Sequence, residues 1–98
     1  MAEPVYEFWR VSLEEAWYQL SEEEQQEYSA KVEAAREKLG VRLITQCSAL
    51  SSGKWLLWGV MEYPGIEAVP QMTELLYQMN HFRYFETETM LGTKWPPS

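Results

Sequence analysis

The sequence predicts one α+β domain with the element order β-α-β-β-α-β, built as a four-stranded antiparallel sheet with its helices on one face. Three observations predict it. Two long runs carry apolar residues at helical spacing, four shorter runs read as strands, and each helical run falls between two strand-like ones.

The first strand is expected over Val5–Val11, with Tyr6, Phe8 and Arg10 on one face and Val5, Glu7, Trp9 and Val11 on the other. Large side chains on both faces predict a central strand covered on both sides. Ser12 is placed to cap a short helical stretch in which Leu13, Ala16, Trp17 and Leu20 form one stripe. Ser21 followed by Glu22-Glu23-Glu24 reads as a capping box, with carboxylates where the helix dipole favours negative charge. The first long helix then follows near residues 22–39, with Tyr28, Val32, Ala35 and Leu39 on one face and Gly40 as a left-handed cap.

Val41–Leu50 and Lys54–Tyr63 flank Ser51-Ser52-Gly53, which predicts a hairpin turn between two strands. The second strand alternates imperfectly and suits an edge. The third carries Trp55, Leu57, Gly59 and Met61 opposite Leu56, Trp58, Val60 and Glu62, and is expected to be central. Pro64-Gly65 stops it. Ile66, Val69, Thr73, Leu76 and Asn80 follow helical spacing in a second long helix near residues 67–80, where Pro70 fits only in the first turn. The last strand is expected over Tyr84–Leu91, and residues 92–98 form a tail kept irregular by Pro96 and Pro97.

A chain of 98 residues supports one core, so residues 1–98 are expected to form a single domain. Hydrophobic residues at 46% against 23% charged exclude general disorder. The net charge of -7, with no run of Lys and Arg, opposes nucleic acid and anionic membrane surfaces as partners. No window approaches the roughly 20 apolar residues that span a bilayer, and Met1-Ala2-Glu3-Pro4 lacks the pattern of a secretory leader. A cytoplasmic location is the expectation. With one cysteine, Cys47, and one histidine, His81, the chain has no intrachain disulfide, Cys-pair metal site or multi-histidine metal site. Cys47 is expected as a buried small hydrophobe, and no metal or cofactor is predicted.

Two right-handed crossovers put both long helices on one side of such a sheet and leave the other face bare. Since both faces of the central strands are bulky and apolar, a homodimer through the uncovered face is expected. The Trp95-Pro96-Pro97 tail is a candidate to cross onto the partner.

The element order, the opening Tyr6-Glu7-Phe8-Trp9, the Leu20-Ser21-Glu22-Glu23-Glu24-Gln25-Gln26 helix start and the Phe82-Arg83-Tyr84-Phe85-Glu86-Thr87 segment resemble the dimeric α+β barrel superfamily, which is ferredoxin-like in fold. The chain is similar to its small stand-alone members of uncharacterised function. The resemblance implies a homodimer, and across the superfamily it spans cofactor-free monooxygenases, haem-degrading monooxygenases, small polyketide cyclases, isomerases and stress-response proteins. Fold alone therefore selects no activity. His81 stands where the small plant cyclase of the superfamily keeps a histidine after its second helix, but the first strand here offers no histidine.

His81 and Arg10 are the candidate catalytic residues, the first as a general acid or base near neutral pH and the second as a partner for a carboxylate or phenolate. His81 suits helix capping equally well, and Arg10 suits a salt bridge to a neighbouring glutamate. Tyr6, Phe8, Trp9, Trp58 and Tyr84 are the candidate substrate-binding residues, as aromatic walls for a planar ligand. The five tryptophans also serve as core or interface. Two functions stay open: a homodimeric barrel protein that binds an aromatic or lipophilic small molecule and in its enzymatic form transforms it without a metal, and a non-catalytic homodimeric accessory or stress-response protein whose pocket is filled by side chains.

Overall fold

The computed structural model describes residues 3–97; Met1, Ala2 and Ser98, at the ends of the predicted domain, lie outside the described residues. The elements follow in the order β1 (Val5–Leu13), α1 (Glu15–Tyr18), α2 (Glu22–Leu39), β2 (Arg42–Ser48), β3 (Leu57–Tyr63), α3 (Ala68–Gln78), α4 (His81–Tyr84) and β4 (Phe85–Gly92). They build an antiparallel sheet of strand order β2-β3-β1-β4. This is the predicted β-α-β-β-α-β architecture, with β1 and β3 central and β2 at an edge.

The local reasons are visible at the helix ends. Ser21 Oγ accepts from the Glu24 N–H at 3.1 Å while Glu24 Oε1 accepts from the Ser21 N–H at 2.9 Å, so two otherwise unpartnered donors are satisfied reciprocally. At the other end Gly40 takes a left-handed conformation, φ 70°, that a side chain would strain. Pro70 is the third residue of α3, where a missing N–H costs no helical hydrogen bond.

Several boundaries differ from expectation; one is Gly92, expected to open the tail, which instead ends β4 opposite Tyr6. Ser12 does not cap a helix; β1 runs on through it to Leu13 because β4 supplies partners, Ser12 opposite Glu86 and Leu13 opposite Phe85. The following helix is one turn, and its N-cap Glu14 makes no side-chain cap bond. The expected hairpin turn is a longer loop of residues 49–56, in which Ser52 Oγ accepts from the Lys54 and Trp55 N–H groups at 3.1 and 2.8 Å. Tyr84 belongs to α4 rather than to the last strand.

The core lies between the sheet and the helices. Val5, Met61 and Tyr63 from the sheet meet Ala35, Val41, Ala68 and Met72, all buried, with Trp9, Leu39, Val69, Leu75, Leu76 and Met79 packed around them. Trp9 lies over Gly59, its cross-strand partner. An alanine Cβ at Gly59 would come within 2.5 Å of Trp9 Cζ2 and of the Thr45 carbonyl oxygen, so the ring fills space that only a glycine leaves open. The opposite face of the sheet carries no helix.

Candidate functional site

The register sorts the sequence-predicted residues onto two faces. On the bare face lie three cross-strand rows: Arg42, Glu62 and Tyr6; then Thr45, Val60, Phe8 and Met90; then Cys47, Trp58, Arg10 and Glu88. The first row is a polar chain, with the Tyr6 hydroxyl donating to Glu62 at 3.0 Å and Arg42 Nε donating to the same carboxylate at 2.8 Å. These bonds hold the Glu62 carboxyl below its ordinary range, Arg42 foremost, while the bond to Glu62 raises the Tyr6 hydroxyl. The second row is apolar. Phe8 and Trp58 are each 37% exposed, with ring centroids 6.2 Å apart, and Met90 is 70% exposed.

The third row closes around Arg10. Its guanidinium pairs with Glu88 and lies 4.6 Å from the Trp55 ring centre; on the same ring, Lys54 Nζ stands at 4.8 Å and pairs with Glu86 at 2.8 Å. The Trp55 ring thus contacts two cations, each paired with a β4 glutamate. Phe8, Arg10, Trp55 and Trp58, together with the Ser48–Ser52 segment, line an open concavity of about 450 Å³. Arg10 Nε is buried without a hydrogen-bond partner among the described residues. Cys47, expected to be buried, is half-buried beside this row, since β2 is an edge strand without cover on this face.

His81, Trp9 and Tyr84 lie on the helix side. Asn80, left-handed at φ 58°, separates α3 from α4 and starts the turn that carries His81 to α2. There the Tyr28 hydroxyl and His81 Nδ1 share a hydrogen bond of 2.5 Å, and the imidazole packs on Tyr28 and Phe85 at centroid distances of 5.9 and 4.7 Å. Trp17 and Tyr84 complete the cluster, Tyr84 at 5.3 Å from the Tyr28 ring. Burial lowers the His81 pKa to about 4 and raises that of the Tyr28 hydroxyl. The imidazole is therefore neutral at pH 7, and the protonated Tyr28 hydroxyl is suited to donate to Nδ1. Glu7 is half-buried on the same side of the sheet, accepts from the Tyr63 hydroxyl at 3.4 Å, and has its pKa pushed up by burial.

Arg10 and His81 thus occupy opposite faces of the sheet. Arg10, Phe8 and Trp58 come together at the concavity; Tyr6 lies at the far end of the same face; on the helix side Trp9 packs over Gly59 against the core, and Tyr84 and His81 are spent in the aromatic cluster. Trp55 and the Ser48–Ser52 segment complete the concavity without having been singled out as site residues. The available signal was the adjacent Lys54-Trp55 pair, but strand alternation sets Trp55 opposite Trp58, and it reaches Arg10 and Trp58 because it lies in the loop before β3 rather than in the strand. Among the described residues no group of histidine, cysteine and carboxylate side chains could hold a metal ion, and no helix is long and apolar enough to cross a membrane.

The architecture is shared with solved structures. RPA0582 of Rhodopseudomonas palustris, a protein of unknown function, is 16% identical with a TM-score of 0.69 over 99% of this chain and 86% of its own. The chlorite dismutase-like protein TA0507 is 19% identical with a TM-score of 0.71, over 95% of this chain but 46% of its own, so the present chain spans about half of it. The de novo designed protein Foldit4 is 14% identical with a TM-score of 0.58, over 94% of this chain and 99% of its own. The fold is thus a ferredoxin-like α+β fold, a four-stranded antiparallel sheet with helices. No family model matches the chain, and no curated protein matches it. At these identities the likeness concerns the fold, and a designed protein among the neighbours underlines that the fold carries no activity of its own.

Proposed function

We propose that the chain works as a homodimer joined through its bare sheet face, and that the concavity of Phe8, Arg10, Trp55 and Trp58 binds an aromatic or lipophilic small molecule. The observation that carries this reading is the distribution of apolar surface. Beneath the helices the space is taken by Met72, Tyr63, Trp9 and the His81 cluster, whereas the bare face presents aromatic rings around an open concavity. Concave, mostly apolar sites with a few polar groups are where small ligands bind.

The reading is one of binding rather than turnover. Arg10 is already paired with Glu88, and the neutral imidazole of His81 lies on the other side of the sheet, so neither candidate catalytic residue supplies a free general base at the concavity. The accessory-protein reading is favoured by the same filled helix side, and the two part at the concavity.

Titration with 2-naphthol and 2-naphthoate, followed by tryptophan fluorescence, separates them. Saturable quenching that is lost in Trp58→Ala supports binding at the concavity. The absence of saturable quenching with both probes refutes it and leaves the accessory dimer.

A further inference from the structure

We infer that the tail of one copy completes the concavity of the other: Trp95 of the partner subunit, carried by residues 93–97, closes over Phe8, Trp55, Trp58 and Leu50. The inference rests on the homodimer proposed above. Trp95 is 88% exposed and is followed by Pro96-Pro97, while Leu50 at the rim of the concavity is 95% exposed. The concavity has aromatic walls below and none above. A segment flanked by two prolines has little backbone freedom left to lose when its aromatic side chain docks in such a groove.

Geometry selects the partner's concavity over the chain's own. Gly92, where the tail begins, pairs with Tyr6, and Lys94 lies close enough to act on the Glu62 carboxylate. The tail therefore leaves at the Tyr6 end of the bare face, and the concavity sits at the Arg10 end. To reach its own concavity the tail must double back by about 13 Å along β1, at roughly 3.3 Å per residue, over the Phe8 and Val60 row. That is the surface the second copy covers.

A two-fold axis lying between the sheets and perpendicular to the strands exchanges the ends. The tail end of each chain then lies over the concavity end of the other, and the contact is made twice. An axis along the strands would instead set the Arg42–Glu62–Tyr6 row against itself and leave both Trp95 side chains in water. The ligand site is thus complete only in the dimer.

Disulfide trapping tests this directly in the full chain. Leu50→Cys and Trp95→Cys are combined with Cys47→Ser, which removes the native thiol; both new positions are exposed, so the fold tolerates them. Mild oxidation at low protein concentration is expected to give a covalent dimer that requires both new thiols. A disulfide closed within one chain, no disulfide, or equal cross-linking of either single-cysteine variant overturns the inference. Trp95→Ala gives an independent reading: affinity for 2-naphthol is expected to fall about tenfold, as for loss of an aromatic anchor, and unchanged affinity counts against the tail. If the unmodified chain is dimeric but trapping fails, the tail assignment falls and the dimer stands; a monomeric unmodified chain overturns both.

Discussion

Burial turns His81 from a solvated switch near pH 6.5 into a neutral packing element with a pKa of about 4, packed against both Tyr28 and Phe85, which also touch each other. The unfolded chain binds its proton near pH 6.5 and the folded chain only near pH 4, so the unfolded state holds more protons between those values. Stability from this group is therefore full above pH 6.5 and is lost as pH falls towards 4, at up to about 1.4 kcal/mol per unit and about 3 kcal/mol in all. Glu7 titrates in the opposite sense, because its raised pKa makes the folded chain hold a proton more tightly than the unfolded one. A His81→Asn variant isolates the histidine part. Denaturant unfolding is expected to show a flatter pH profile in His81→Asn than in the parent between pH 6.5 and 4; parallel profiles would mean that the imidazole titrates alike in both states. The sequence made the imidazole legible as a titratable group, but its neutral stacked state depends on α2 and β4 residues distant in the chain.

Helix ends were legible because their causes are local. Ser21, Glu24 and Gly40 act within one turn, and the capping box and left-handed cap form where the residue types demand them. Strand boundaries depend on partners distant in the chain. Ser12 joins β1 because β4 lies opposite, and β2 loses its alternation to a bulge between Leu43 and Thr45, after which Thr45 rather than Ile44 pairs with Val60. The same limit applied to the site. Arg10 could be matched to a strand glutamate by charge, but only register makes that partner Glu88, and only the course of the 49–56 loop brings Trp55 to the guanidinium. Gly59 lies where these elements lock together. A Gly59→Ala Cβ must displace the Thr45 carbonyl or the Trp9 ring, and overpacking of this kind costs about 1–3 kcal/mol. Thermal unfolding should show a fall in Tm of about 5–15 °C for a domain of this size; a Tm unchanged within about 2 °C would contradict the described Trp9 packing.

At the scale of the whole molecule, the sheet is two-sided in composition and one-sided in cover. Phe8, Val60 and Met90 form an apolar band, flanked by Trp58, between rows whose charges are paired as Arg42–Glu62 and Arg10–Glu88. Hiding about 400 Å² of apolar area on each of two chains is worth roughly 20 kcal/mol gross, against about 4–15 kcal/mol for association before ordering costs. The charge of -7 per chain opposes pairing. Glu22, Glu23 and Glu24 begin α2 on the helix side, and salt screens such charges over about 10 Å at 0.1 M. The proposed homodimer therefore requires burial to outweigh repulsion, with ordinary salt favouring the pair. Light scattering of the unmodified chain across roughly 1–100 μM, a range that resolves dimers of micromolar or tighter affinity, tests this most directly. The chain mass is 11.6 kDa, and the homodimer predicts twice that value throughout, whereas a single-chain mass at every concentration would contradict it.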